Sequence, residues 1–125
     1  MVNSLNINKI GEKYGEFVEA AAESLQGKMA EDVVLLDVRG NSIITDFYLL
    51  ATGRNMPHLK ALAAETSKTM KQVVDHPVRL SGTPESGWVI VDAGDIVIHI
   101  FHSEKRAYYN LEELWNDAER VDVEE

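Results

Sequence analysis

The sequence predicts an α/β (α+β) fold in which helices pack on a mixed sheet of about five strands. Three observations lead there. Two long stretches, over residues 10–25 and 56–73, repeat apolar residues at helical spacing. Five short runs, over residues 33–38, 47–52, 78–80, 89–91 and 96–101, are rich in β-branched and aromatic residues and bounded by turn formers. Several of these runs are apolar without alternation, as strands covered by helices should be.

Taken in order, Ile10, Tyr14, Phe17, Val18, Ala21 and Leu25 place an amphipathic helix over about residues 10–26. Gly27 sits where a helix stop is expected, and Gly15 weakens the first turn. A strand over 33–38 leads into the loop Arg39-Gly40-Asn41-Ser42, and a second strand ends at Gly53. Asn55 as N-cap and Pro57 in the first turn then start a helix that runs to about Val74. Met56, Leu59, Leu62, Ala63, Thr66, Met70 and Val73 form its core face. His76-Pro77 stops it, and the short strand at 78–80 suits a sheet edge because proline precedes it. Residues 83–87 make a loop into Trp88. A hairpin follows across Asp92-Ala93-Gly94-Asp95, with Gly94 free to take positive φ. A charged loop then reaches a last helix, where Asn110 and Glu113 have capping-box spacing.

One domain over residues 1–125 is expected, with no repeat, low-complexity tract or linker. No apolar run approaches 18 residues, and the N-terminal stretch lacks the layout of a signal peptide. A cytoplasmic protein with no membrane contact is the simplest expectation. The absence of cysteine excludes disulfides and thiolate metal sites. With 21 acidic and 12 basic residues, the net charge of −9 disfavours docking on bare nucleic acid and favours a basic protein surface. Residues 119–125 read as a solvated acidic tail.

Chemistry could sit in four places. His99 and His102 are three apart on a strand, which sends them to opposite faces, so they make a poor metal pair. Asp92 and Asp95 flank a turn, where aspartates hydrogen-bond their own backbone or meet a partner. Gly40-Asn41-Ser42 followed by Asp46 has the outline of a nucleotidyltransferase site. The second carboxylate that such a site needs to hold its metals is missing, because Phe47 and Tyr48 follow. No serine elbow or cysteine nucleophile is present. There remains an aromatic and acidic surface around Trp88, Tyr109, Leu111, Glu112 and Trp115. Trp115 is expected in the core; for Trp88, core and interface are both open.

Several segments, in this order and spacing, resemble the ribosomal silencing factor (Iojap-like) family. They are residues 32–38, Thr45-Asp46-Phe47-Tyr48, Ala51-Thr52-Gly53, residues 88–95, His99-Ile100-Phe101 and residues 106–115. The likeness covers about residues 10–118. It implies a nucleotidyltransferase-like core lacking catalytic acids, in keeping with the incomplete pattern from Gly40 to Asp46. It also implies a non-enzymatic translation repressor without cofactor or metal. Such a protein binds the large ribosomal subunit through that subunit's ribosomal protein 14 and blocks joining of the small subunit when nutrients are scarce. No direct dependence on nucleic acid is implied, and a homodimer is open to the free protein.

Carried over position by position, the resemblance makes Trp88, Asp92, Arg106, Tyr109, Leu111 and Glu112 the partner-binding residues. Trp88, Tyr109 and Leu111 would anchor, while Asp92 and Glu112 would meet basic groups. The rival is a nucleotidyltransferase-like or nucleotide-binding enzyme using Ser42 and Asp46. A third class, an adaptor for another basic protein, would use the same surface.

Overall fold

The computed structural model describes residues 2–125, so Met1, the first residue of the expected domain, lies outside the described residues. In chain order the elements are β1 (Val2–Asn6), α1 (Ile7–Tyr14), α2 (Glu16–Gly27), β2 (Glu31–Asp37), β3 (Phe47–Gly53) and α3 (Met56–Val73). They continue with β4 (Arg79–Thr83), a 3₁₀ turn (Pro84–Ser86), β5 (Trp88–Asp92), β6 (Ile96–His102), α4 (Ser103–Tyr109), α5 (Leu111–Leu114) and β7 (Glu119–Glu124). One mixed sheet runs β1-β7-β2-β3-β6-β5-β4.

The sheet has seven strands where about five were expected, and the two extra strands come from the ends of the described chain. β1 pairs in parallel with β7, and β7 pairs antiparallel with β2, setting Leu35 opposite Val121. Residues 119–124 of the expected solvated tail at 119–125 are therefore a strand of the sheet. Val121 and Val123 are buried, while Arg120, Asp122 and Glu124 alternate with them. That period of two is a strand signal, and the density of carboxylates masks it.

The helix expected over 10–26 is two helices. Gly15, at φ 110 and ψ 161, breaks it with a geometry that favours glycine. The buried stripe nonetheless continues across the break through Ile10, Tyr14, Val18, Ala21 and Leu25. α3 starts as expected, with the Asn55 side chain accepting from the His58 N–H at 2.9 Å. Its core face is Leu59, Leu62, Ala63, Thr66 and Met70; Met56 and Val73, at the two ends, are exposed instead. These three helices cover one face of the sheet and bury Leu35, Leu49, Ala51, Ile98 and Ile100. Truncating a fully buried leucine such as Leu49 to alanine would cost about 2–5 kcal/mol.

The other face of β2, β3 and β6 carries a second apolar cluster, Val34, Leu36, Val38, Leu50 and Phe101. Burial on both faces explains why these strands read as continuous apolar runs. Here the cover is thin and comes from α4 and α5. The charged loop expected after β6 is helix α4. Asn110 ends it at φ 47 and ψ 58, its N–H bonded to the Arg106 carbonyl at 2.9 Å. Its side chain makes no cap bond to α5, so the expected capping box does not form. Asparagine tolerates the left-handed region, and here that property outweighs its capping ability.

Candidate docking face

Register places the side chains of the thinly covered face in three rows. One runs Leu36, Tyr48, Val97, Asp92, Arg79; the second Val34, Leu50, His99, Ile90, Ser81; the third Thr52, Phe101, Trp88, Thr83. The third row carries an aromatic stack. Trp88 lies on Phe101 with ring centroids 5.0 Å apart, and Tyr109 comes down from the end of α4 to 4.5 Å from Trp88. Tyr109 keeps 45% of its surface, and its neighbour Tyr108 is more exposed still. Half-buried aromatics seated on a rigid strand lose little entropy on binding, which suits them as anchors.

His99 lies beneath this stack. The Trp88 indole N–H donates to His99 Nδ1 at 3.1 Å, which leaves the proton of the neutral ring on Nε2. Nε2 is buried without a hydrogen-bond partner among the described residues. Burial pushes the imidazole down to about 4, against a weaker opposing pull from the Asp92 carboxylate. His99 is therefore neutral at pH 7 and acts as an acceptor that orients Trp88. His102 begins α4, its Nδ1 accepting from the Glu104 N–H at 3.4 Å. Among the described residues, no three or more His, Asp or Glu side chains gather to hold a metal ion.

Arg106 and Glu112 turn toward each other. The Arg106 fork meets both carboxylate oxygens of Glu112, at 3.3 Å and 3.0 Å. Its remaining nitrogen, Nη1, donates to the Asp32 carbonyl at 2.6 Å and to Thr52 Oγ1 at 2.9 Å. The register shift between Glu31 and Val34, with Asp32 at φ 48, accompanies that carbonyl. Arg120 reaches Glu112 at 3.8 Å and Asp122 at 3.4 Å. These groups line a polar cavity of about 460 Å³. Chemically this is a clasp, fastening α4 and α5 to β2 and β3.

The six residues expected at a partner interface are thus separated. Trp88 and Tyr109 come together. Leu111 packs beneath α5 on the second apolar cluster, beside Trp115, whose ring lies 5.4 Å from that of Tyr48. Trp115 is partly buried rather than fully in the core. Asp92 stands at the far end of the face and accepts from the Gly94 N–H at 2.9 Å, in the self-bonded arrangement of turn aspartates. Arg106 and Glu112 are engaged within the clasp.

The reading by residue type missed Ile43 and Ile44, two large apolar side chains exposed side by side in the β2–β3 loop. Their signal was an isoleucine pair where turn residues belong. Ser42 accepts from the Ile44 N–H at 3.1 Å, and both the Asp46 and Phe47 N–H groups donate to the Asp95 carbonyl at 3.1 Å. The loop is thereby tied to the acidic β5–β6 turn. The two isoleucines thus form an apolar tip on a loop that also exposes Asp46.

A family model described as ribosomal silencing factor during starvation matches residues 12–125. The chain is 40% identical over 109 residues to the ribosomal silencing factor of Halalkalibacterium halodurans, covering 87% of this chain and 93% of that protein. It is 29% identical over 109 residues to the mouse protein named mitochondrial assembly of ribosomal large subunit protein 1, covering 85% of this chain and 47% of that one. Among solved structures, it is similar to a Chromobacterium violaceum protein with a TM-score of 0.74 at 29% identity, covering 90% and 88% of the two chains.

Proposed function

The chain belongs to the ribosomal silencing factor family, and on that premise we propose that it represses translation as a steric plug on the large ribosomal subunit. It binds ribosomal protein 14 of that subunit, on the face where the small subunit joins, and prevents joining when nutrients are limiting. It acts in the cytoplasm and without catalysis. The carrying observation is the Tyr109–Trp88–Phe101 stack, held half open on the thinly covered face of a chain with net charge −9. Aromatic anchors on a chain of net negative charge suit a basic ribosomal protein.

The family's regulatory role supports a non-enzymatic reading. So does the local chemistry of the rival site, where the Ser42 hydroxyl is bonded to the Ile44 N–H and Asp46 stands exposed. A nucleotidyltransferase-like core without catalytic acids belongs to the same proposal.

Mixing experiments with separated subunits test it. The protein should cosediment with large subunits, prevent their joining to small subunits without added nucleotide, and do far less to ribosomes already joined. Binding should weaken as salt rises. Splitting of joined ribosomes at equal efficiency, or a requirement for ATP hydrolysis, would refute the plug. Sedimentation of the free protein reads whether it pairs with a second copy.

A further inference from the structure

The helix-covered side of the sheet carries a groove that the docking face does not use. Helix α3 and edge strand β4 stand side by side without closing, which leaves Met56 at 49% and Leu80 at 54% exposure. Between them is a cleft of about 600 Å³ lined by Ala63, Ala64 and Val89. It continues past Leu80 along α3 toward Lys68 and Lys71, while Lys60 lines its first half. None of these three lysines has an ion-pair partner among the described residues. Among the described residues, the one carboxylate on the lining is Glu85. In a chain of net charge −9, this is a local reversal of sign.

We propose that this groove docks an amphipathic helix from an acidic partner protein. The apolar lining between the lysines takes leucine-like side chains, which the sugar-phosphate backbone of a nucleic acid does not supply. Ala63 and Ala64 let a helix approach closely, and the lysines select carboxylates on its flanks. A second copy meeting this one groove to groove would bring the same lysines and be repelled. Strand addition at β4 is disfavoured because Gly82, at φ 74, interrupts the regular edge. The 18 residues of α3 span about 27 Å, room for an incoming helix of about 16 residues. Trp88 points to the opposite side of the sheet, so both surfaces can be occupied together.

The test uses two labelled helical peptides of about 16 residues. Both carry leucines at alternating three- and four-residue spacing; one has glutamates on its flanks and the other lysines. The full-length protein should bind the glutamate peptide at least about tenfold more tightly than the lysine peptide. Leu80→Asp should weaken that binding by about tenfold or more. Lys60→Glu, Lys68→Glu and Lys71→Glu combined should reverse the preference. All four side chains are exposed, and thermal melts confirm that the variants fold. Equal affinity for the two peptides, no binding to either, or indifference to Leu80→Asp overturns the proposal. Self-association abolished by Leu80→Asp would give the groove to a second copy and overturn it too.

Discussion

The Trp88 indole N–H donates 3.1 Å to Nδ1 of His99, a buried imidazole whose pKa falls to about 4. Unfolded, the same ring takes a proton near its ordinary value of 6.5. Between those two values the unfolded chain binds more protons than the folded one. The contribution is fully present above about pH 6.5 and is lost as pH falls toward 4; it is on the order of 3 kcal/mol. His99→Phe should flatten the dependence of urea midpoints on pH between about 6.5 and 4.5. Asp37, held below the usual carboxylate range by its hydrogen bond with Arg39, acts only at lower pH and leaves that window clear.

Tyr109→Ala removes a half-exposed ring from the top of the stack. Binding to large subunits should weaken by about thirtyfold, equivalent to about 2 kcal/mol, while the melting temperature barely moves. Trp115→Ala should do the reverse, lowering stability by about 2–3 kcal/mol, because its ring fills space against Tyr48 and the second apolar cluster. Binding titrations and melts on the same samples separate the two. If Tyr109→Ala binds like wild type, the stack is not the anchor.

The Glu112 charge is engaged inside the fold rather than offered to a basic partner. Because its carboxylate closes the clasp with Arg106, Glu112→Gln and Arg106→Met should each destabilise by about 2–3 kcal/mol. The double variant should lose less than the sum of the two. Strict additivity in urea melts would mean that the pair does not act as a unit.

Ile43 and Ile44 contribute little to folding because they are exposed. Ile43→Ser with Ile44→Ser should leave the melting temperature within a degree or two. Their association with large subunits should fall by about tenfold. Unchanged association would remove the loop from the docking face and leave the aromatic stack in place.

Truncation after Ala118 removes β7 and leaves β1 and β2 without their shared neighbour. The shortened chain should unfold at much lower urea, losing several kcal/mol as Val121 and Val123 leave the core. A solvated tail would have been dispensable. Unaltered midpoints would contradict the strand.

Period and turn chemistry made the central elements legible in the sequence. The α3 cap at Asn55, the β5–β6 hairpin with Gly94 at φ 85, and the apolar runs of β2, β3 and β6 all follow from local rules. What escaped depends on pairing across distance. β1 is too short and polar to announce itself, and β7 hides a period of two among carboxylates. For the docking face, residue type pointed to Trp88 and Tyr109 as aromatic anchors, and the structure brings them together. Type could not show that Arg106 and Glu112 face each other, because that depends on a bulge at Asp32 and a left-handed residue at Asn110.

The pairing of β1 with β7 also sets an order of events in time. Val2 sits opposite Arg120, so the sheet joins its first strand to its last across nearly the whole chain. Such contacts close slowly, because the intervening chain must already be arranged. While the polypeptide is being made, β1 emerges before its partner β7 and waits. The outer edge of β2, with Val34 and Leu36 beside it, stays uncovered until residues 119–124 appear. During that interval the nascent chain presents an open apolar strand edge, the kind of surface that chaperones and other unfinished chains engage.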